Sequence, residues 1–199
     1  MTSKFVISIG RQYGAGGRSI GPKLASRLGV NYYDKELIPL AAKEIGFDVR
    51  IFEQVDEKTR FSRFLHSIEG MLHSFGENYM SSEMLFKVQS DVIKKIAERE
   101  SCVIVGRCSD YVLRNHENMI SIFFTATMED RIRRVASRLA ISEDEAIERI
   151  NHEDRNRASY YNCFTGKEWG RAESYTFCIN TSFFESEEQV VDAILKLIK

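Results

Sequence analysis

Apolar positions fall along the chain in two kinds of segment: short unbroken runs, and longer stretches in which they return every three or four residues. The unbroken runs are FVISI at 5–9, CVIV at 102–105, MISIFFT at 119–125 and YTFCI at 175–179, with a shorter one, NYY, at 31–33. Rich in β-branched and aromatic residues, they predict strands buried on both faces. The periodic stretches predict helices over 19–28, 35–45, one or two within 48–79, then 82–99, 128–139, 142–158 and 185–197. Ser142 followed by Glu145 makes a capping box and marks the start of the helix over 142–158.

Strands that are apolar throughout and alternate with helices predict an α/β fold, with five parallel strands covered on both faces and joined by right-handed crossovers. Between the second and third runs lie roughly seventy residues, too many for one crossover, so a helical insertion is expected at about 35–100. Pro22 and Pro39 are the chain's two prolines, and neither marks a linker. One domain over residues 1–199 is expected.

Composition removes several classes of function. The 28 Lys and Arg against 29 Asp and Glu leave a formal charge of -1, which gives no overall attraction to polymeric nucleic acid or an anionic membrane. Any anion site must be local. No window approaches the ~20 apolar residues of a membrane span, and the N-terminal run is too short for a signal peptide. A cytoplasmic location is expected. Cys102, Cys108, Cys163 and Cys178 lack C-x-x-C spacing and read as reduced, mostly packing thiols. His66, His73, His116 and His152 are not grouped as metal ligands.

The chemistry begins at IGRQYGAGGRSIG, where strand gives way to helix. Glycines there let backbone N–H groups converge on a phosphate at the positive end of the helix. Setting Gly14, Ala15 and Gly16 on the G-x-G of a Walker A motif puts Gly17 where lysine belongs, and Ser19, two places on, is the candidate for the magnesium-binding Ser or Thr. Arg18 comes one place late, and the motif's first glycine falls on Arg11. A dinucleotide-binding turn with Asp34 as its acidic partner, and a turn without a ligand, are the other readings of this segment.

Two further segments bring cations. Gly106-Arg107 directly follows the third strand, at the carboxyl edge where open α/β sheets bind ligands. An arginine there grips a phosphate with two parallel N–H bonds, or else pairs with Asp110 on the surface. Near the end of the helix over 142–158 stand Asp154, Arg155 and Arg157, followed by SYYNCFTGKEWGR, which predicts a loop carrying Lys167 and Arg171. The pair of segments suits a lid over a transferring phosphoryl group, and a solvated helix face explains the same charges. Tyr160, Tyr161, Phe164 and Trp169 are expected to pack the lid against the core rather than stack on a base.

These segments together resemble the cytidylate kinases, and more closely the cytidylate-kinase-like proteins whose phosphate loop reads like GRQYGAGGR. The resemblance is carried by GAGGRS, YYDKE, VGR, FFTATMEDRIRR, EDRNRA, INTS and EQVV, over most of the chain. It implies a three-layer P-loop kinase fold with a helical insertion and a lid at about 150–173. It also implies transfer of the ATP γ-phosphoryl to a small-molecule nucleotide, CMP or dCMP, with Mg2+. Gly14, Ala15, Gly16, Gly17, Arg18 and Ser19 would hold the donor phosphates, with the Ser19 hydroxyl on Mg2+. Asp34 would orient the acceptor or a metal-bound water, Arg107 would hold the acceptor phosphate, and Asp154, Arg155 and Arg157 match the second half of the lid motif R-D-x-x-D-x-x-R.

The chain departs from that pattern in places. Arg149 stands one position early for the first half of the lid motif, and Cys108 replaces the acidic residue that commonly follows Gly-Arg. Arg18, folded back over the loop, is the expected substitute for the lysine. The insertion has no clear match to a cytosine-recognising segment, and Phe52, Phe61, Phe64, Leu65, Ile68, Met71, Leu72 and Phe75 recur in it at helical spacing. Core packing accounts for that face, and burial in a homodimer is the alternative. A nucleotide- or anion-binding module without turnover, and a kinase for another small metabolite, stay open beside the nucleotide kinase.

Overall fold

The computed structural model describes residues 4–34 and 82–198. Among them five strands form one parallel sheet: β1 (Val6–Arg11), β2 (Asn31–Tyr33), β3 (Cys102–Val105), β4 (Met119–Thr125) and β5 (Phe177–Asn180). The helices are α1 (Gly17–Leu28), α2 (Ser82–Arg99), α3 (Ser109–Val112), α4 (Met128–Leu139), α5 (Glu143–Thr165) and α6 (Glu187–Leu197). The strands lie in the order β2-β3-β1-β4-β5, with Ile7 between Val103 and Ile120 at the centre. Three strands match their predicted bounds, while the first and last run further toward their carboxyl ends, to Arg11 and Asn180.

Alternation along each strand sorts side chains into two helical layers. Ile7, Ile9, Val103, Val105, Ile122 and Phe124 cluster with Ile20 and Leu24 of α1 and Val190, Val191 and Ile194 of α6. Val6, Cys102 and Ile104 turn to the other layer, where α2 supplies Val92, Ile93 and Ile96 and α3 supplies Val112. The stretch expected as an insertion therefore ends in a helix packed on the sheet. The helices predicted over 35–45 and 48–79, and the apolar face proposed for a homodimer, lie outside the described residues.

Two expectations need correction. The helix predicted to end at 158 continues to Thr165, where Gly166, at φ 65°, terminates it. Aromatic residues cost at most about 0.7 kcal/mol each as helix formers, whereas burying one stabilises by about 1.5–3 kcal/mol. Tyr161 is buried on this last stretch, and Phe164 stacks on Phe86 of α2 with ring centroids 4.4 Å apart, so packing wins. All four cysteines are free, but Cys163 and Cys178 are exposed and only Cys102 and Cys108 pack in the interior.

Gly21 sets how closely α1 approaches the sheet. A Cβ there would lie 2.9 Å from Tyr32 Cε2 and 3.1 Å from Val105 Cγ2. Gly21→Ala is expected to destabilise by about 1–3 kcal/mol through overpacking, against a gain of about 1 kcal/mol in helix propensity. Urea unfolding reads the balance; an unchanged or raised midpoint would show that α1 has room to spare.

Candidate functional site

The turn after β1 enters α1 through two left-handed glycines, Gly14 at φ 82° and Gly16 at φ 87°. The helix begins at Gly17 with no side chain capping its first turn. Around the turn, the carbonyls are held from outside. Tyr13 O accepts from Arg131 Nε at 2.8 Å, Gly14 O from Arg134 Nη1 at 3.4 Å, and Ala15 O from the Thr181 hydroxyl at 3.1 Å. Within a planar trans peptide C=O and N–H point in opposite directions. Outward carbonyls at Tyr13 and Ala15 therefore turn the amides of Gly14 and Gly16 toward the hollow of the turn, beside the positive end of α1.

The anchor of this arrangement is Asp154 of α5. One carboxylate oxygen accepts from Tyr13 N at 2.7 Å, and the other pairs with Arg131 Nη2 of α4. Arg131 is 4% exposed, so the pair sits in a dry environment. Tyr13 also rests on the apolar contact between α4 and α5 formed by Val135, Ala146 and Ile150. One turn along α5, Arg157 lies 3.9 Å from Asp154 Oδ1 and donates to Arg11 O at 3.3 Å. Residues three apart share a helix face; Arg155 is not on it. It is exposed, in a surface groove with Arg149 and His152, so two of the three predicted lid residues reach the loop.

Across the sheet edge, the chain leaves β3 through Gly106, Arg107 and Cys108, all left-handed, at φ 79°, 57° and 53°. Non-glycine residues in this region cost of order 1–3 kcal/mol each. The turn is held by Gly106 N donating to Ile9 O at 2.9 Å and by the helix start at Ser109. Arg107 is half-buried beside Tyr160 and close to Arg11. The surface pair with Asp110 is not what the structure shows, because Asp110 accepts from Tyr161 Oη at 2.7 Å. Burial pushes the Asp110 carboxyl up, and the Tyr161 bond opposes the shift. Asp34 accepts from Tyr32 Oη at 3.3 Å; burial, then Asp34, push that phenol up to about 12.

The residue that sequence reasoning missed is Arg11. Its side chain crosses the edge between β1 and β3, and burial, then the charges of Arg157 and Arg107, push its guanidinium down to about 9. It remains charged at neutral pH. Its one signal in the sequence was a negative one, an arginine where the Walker motif has glycine. Arg131 and Arg134, quoted in the motif EDRIRR, also lacked a role until α4 was seen to lie along the loop.

The remaining candidates spread outward. Arg18 is exposed on the first turn of α1 and acts electrostatically on Tyr32. Ser19 Oγ lies 3.0 Å from Gly16 O and hydrogen-bonds Glu187 of α6. Among the described residues no group of three or more His, Cys, Asp or Glu could hold a metal. In the expected lid, Trp169 meets Phe123 edge-on at 5.2 Å, and Arg171 pairs with Glu173 at 2.6 Å. The aromatic residues do pack against the core.

Removing the anchor tests this geometry. Asp154→Ala strands the buried Arg131 guanidinium and the Tyr13 amide, and breaking such a pair costs about 3–5 kcal/mol. The expected outcome is a fall of that size in unfolding free energy by urea denaturation. A loss within about 0.5 kcal/mol, the scale of an unimportant surface change, would mean that the loop does not depend on Asp154.

The sequence model of the cytidylate kinase-like family matches residues 6–183. A cytidylate kinase of Sulfolobus acidocaldarius is 25% identical over 186 residues, which cover 93% of this chain and 89% of that protein. An uncharacterized protein from Eubacterium ventriosum superposes with a TM-score of 0.73 at 27% identity, over 98% of each chain. Shikimate kinase from Bacteroides thetaiotaomicron superposes with a TM-score of 0.57 at 15% identity over 98% of each chain, a likeness of fold. The sheet is that of the P-loop kinases, and with a match running from the first strand past the last, the chain belongs to the cytidylate kinase-like family.

Proposed function

We propose that this protein transfers the γ-phosphoryl group of ATP to a nucleoside monophosphate, CMP or dCMP, with Mg2+, in the cytoplasm. The observation that carries the reading is the meeting of two features at one sheet edge. A turn with inward amides at Gly14 and Gly16 lies beside a set of guanidiniums from Arg11, Arg107 and Arg157. Guanidiniums collected in a half-buried place repel one another, and anionic oxygens relieve that repulsion. The family supports a kinase, and the cytidylate kinase relative supports the pyrimidine acceptor.

The residues present fit ATP and Mg2+. An uncapped helix start after two left-handed glycines suits phosphate oxygens, in a cradle formed by Gly14, Ala15, Gly16, Gly17, Arg18 and Ser19. Mg2+ takes one or two protein oxygens and completes its shell with phosphates and water, which matches the Ser19 and Glu187 oxygens at the outer end of the cradle. When bound, the metal neutralises charge on the donor phosphates. Everything else falls to the chain itself. Arg107 and Asp34 grip and orient the acceptor, and Arg157 carries charge stabilisation from α5. Asp154 positions the loop, and Arg155, on the far face of α5, belongs to the proposal only through the family motif. Positioning and charge neutralisation are most of what phosphoryl transfer asks of a protein.

A coupled ADP-release assay with ATP, Mg2+ and a panel of nucleoside monophosphates tests the reading, and turnover on CMP or dCMP is expected. Arg107→Ala should raise the acceptor KM by about 10- to 100-fold, the value of a charge-assisted bond, and Arg18→Ala, which removes a second cation from the donor cradle, should lower turnover with the fold intact. ATP binding with no turnover on any acceptor would favour a nucleotide-binding module instead.

A further inference from the structure

Two of the phosphate loop's departures from the Walker pattern stand six residues apart, at Arg11 and Gly17, and the structure joins them. A Cβ on Gly17 would lie 2.9 Å from Arg11 Cγ and 3.0 Å from Arg11 Cβ. The second of these atoms is the root of the side chain, fixed by the backbone, so no rotamer change removes it. A side chain at one of the two positions therefore crowds out a side chain at the other. Neither choice is forced by the backbone. Arg11 closes β1 opposite Phe124, and neither residue is among those with positive φ. Gly17 sits in the first turn of α1, where glycine costs about 1 kcal/mol against alanine. What crowds a side chain there is first the arginine stem, with Phe124 Cδ2 next at 3.3 Å.

From that stem the guanidinium crosses toward β3. A Cβ on Gly106 would lie 2.5 Å from Arg11 Nη1 and 3.5 Å from Cζ, so the head group rests against the glycine that precedes Arg107. It therefore lies at the carboxyl edge between the phosphate turn and the segment assigned to the acceptor. Burial, then the neighbouring charges of Arg157 and Arg107, lower its pKa, against smaller opposing effects of Tyr32 and Asp34.

We propose that Arg11 supplies the cation that lysine supplies in a Walker loop, contacting the terminal phosphate oxygens of the donor, and that residues 11 and 17 are an interlocked pair in which cation and glycine have exchanged places. The proposal rests on the reading of this turn as a polyphosphate site. It moves the cation from the helix start to the end of the central strand while keeping it over the same edge.

The test uses the full-length protein with ATP and Mg2+. Arg11→Met keeps the apolar stem and removes the charge; it should melt near the wild-type temperature and lose about 10- to 100-fold in ATP affinity by calorimetry. Gly17→Lys alone should lower the melting temperature, and adding Arg11→Gly should raise it again, with ATP affinity recovering above that of Arg11→Gly alone. Wild-type ATP affinity in Arg11→Met would overturn the role of the cation. A double variant no more stable than Gly17→Lys would overturn the interlock. Both are read as affinity and melting temperature, so they decide the proposal even if the wild-type protein turns over no monophosphate, which is the result that would sink the reading of its acceptor.

Discussion

The phosphate turn depends on the ion pair between Arg131 and Asp154. A short glycine-rich turn has little to hold it: its residues lose more conformational entropy on ordering than others, and two of its members must stay left-handed. The pair offsets this by gripping both sides of one residue, with Arg131 on the Tyr13 carbonyl and Asp154 on the Tyr13 amide. Desolvation takes much of what a buried ion pair gains, so its worth lies less in net stability than in fixing a single geometry. That geometry is the outward aim of the loop carbonyls.

The rest of the edge follows from the same clamp. Asp154 brings α5 against the loop, and one turn later this places Arg157 on the backbone of Arg11. Because α5 continues to Thr165, its far end carries Tyr160 to Arg107 and Tyr161 to Asp110, tying the β3 edge to the loop by a second route. Donors held in advance of the ligand need no reorganisation when charge develops, which is where electrostatic catalysis gains most. The cost is a cluster of guanidiniums whose mutual repulsion works against the folded state.

Much of the fold was legible in the sequence because its three central strands are largely buried on both faces and so read as nearly continuous apolar runs. The start of α5 was legible from its capping box, which both Ser142 and Glu145 complete. Its end was not, since the aromatic and glycine-rich composition of 159–170 speaks for a loop, and it is contacts with Phe86, Gln89 and Asp110 that keep the last turns helical. α3 is a single turn set up by three left-handed residues, too short to show a period. At the candidate site, the loop glycines and Arg107 stood out in the sequence as residue types suited to an anion. Asp154 was visible as a charge but not as a clamp. Its role depends on Arg131, twenty-three residues away and on another helix, and one sequence carries no sign of that pairing.

A broken motif is not by itself a lost site. A Walker lysine is recognised by position, but the requirement is for positive charge over the sheet edge between the first and third strands, whatever backbone atom bears it. A guanidinium on β1 is held by a strand bonded on both sides, and its planar fork offers two-point contact where an ammonium offers a point charge. Near-zero net charge is compatible with such a site, since the cations are gathered rather than numerous: Arg11, Arg107 and Arg157 come from three separate segments. The site is defined by their convergence, and the glycines at 17 and 106 make the room for it.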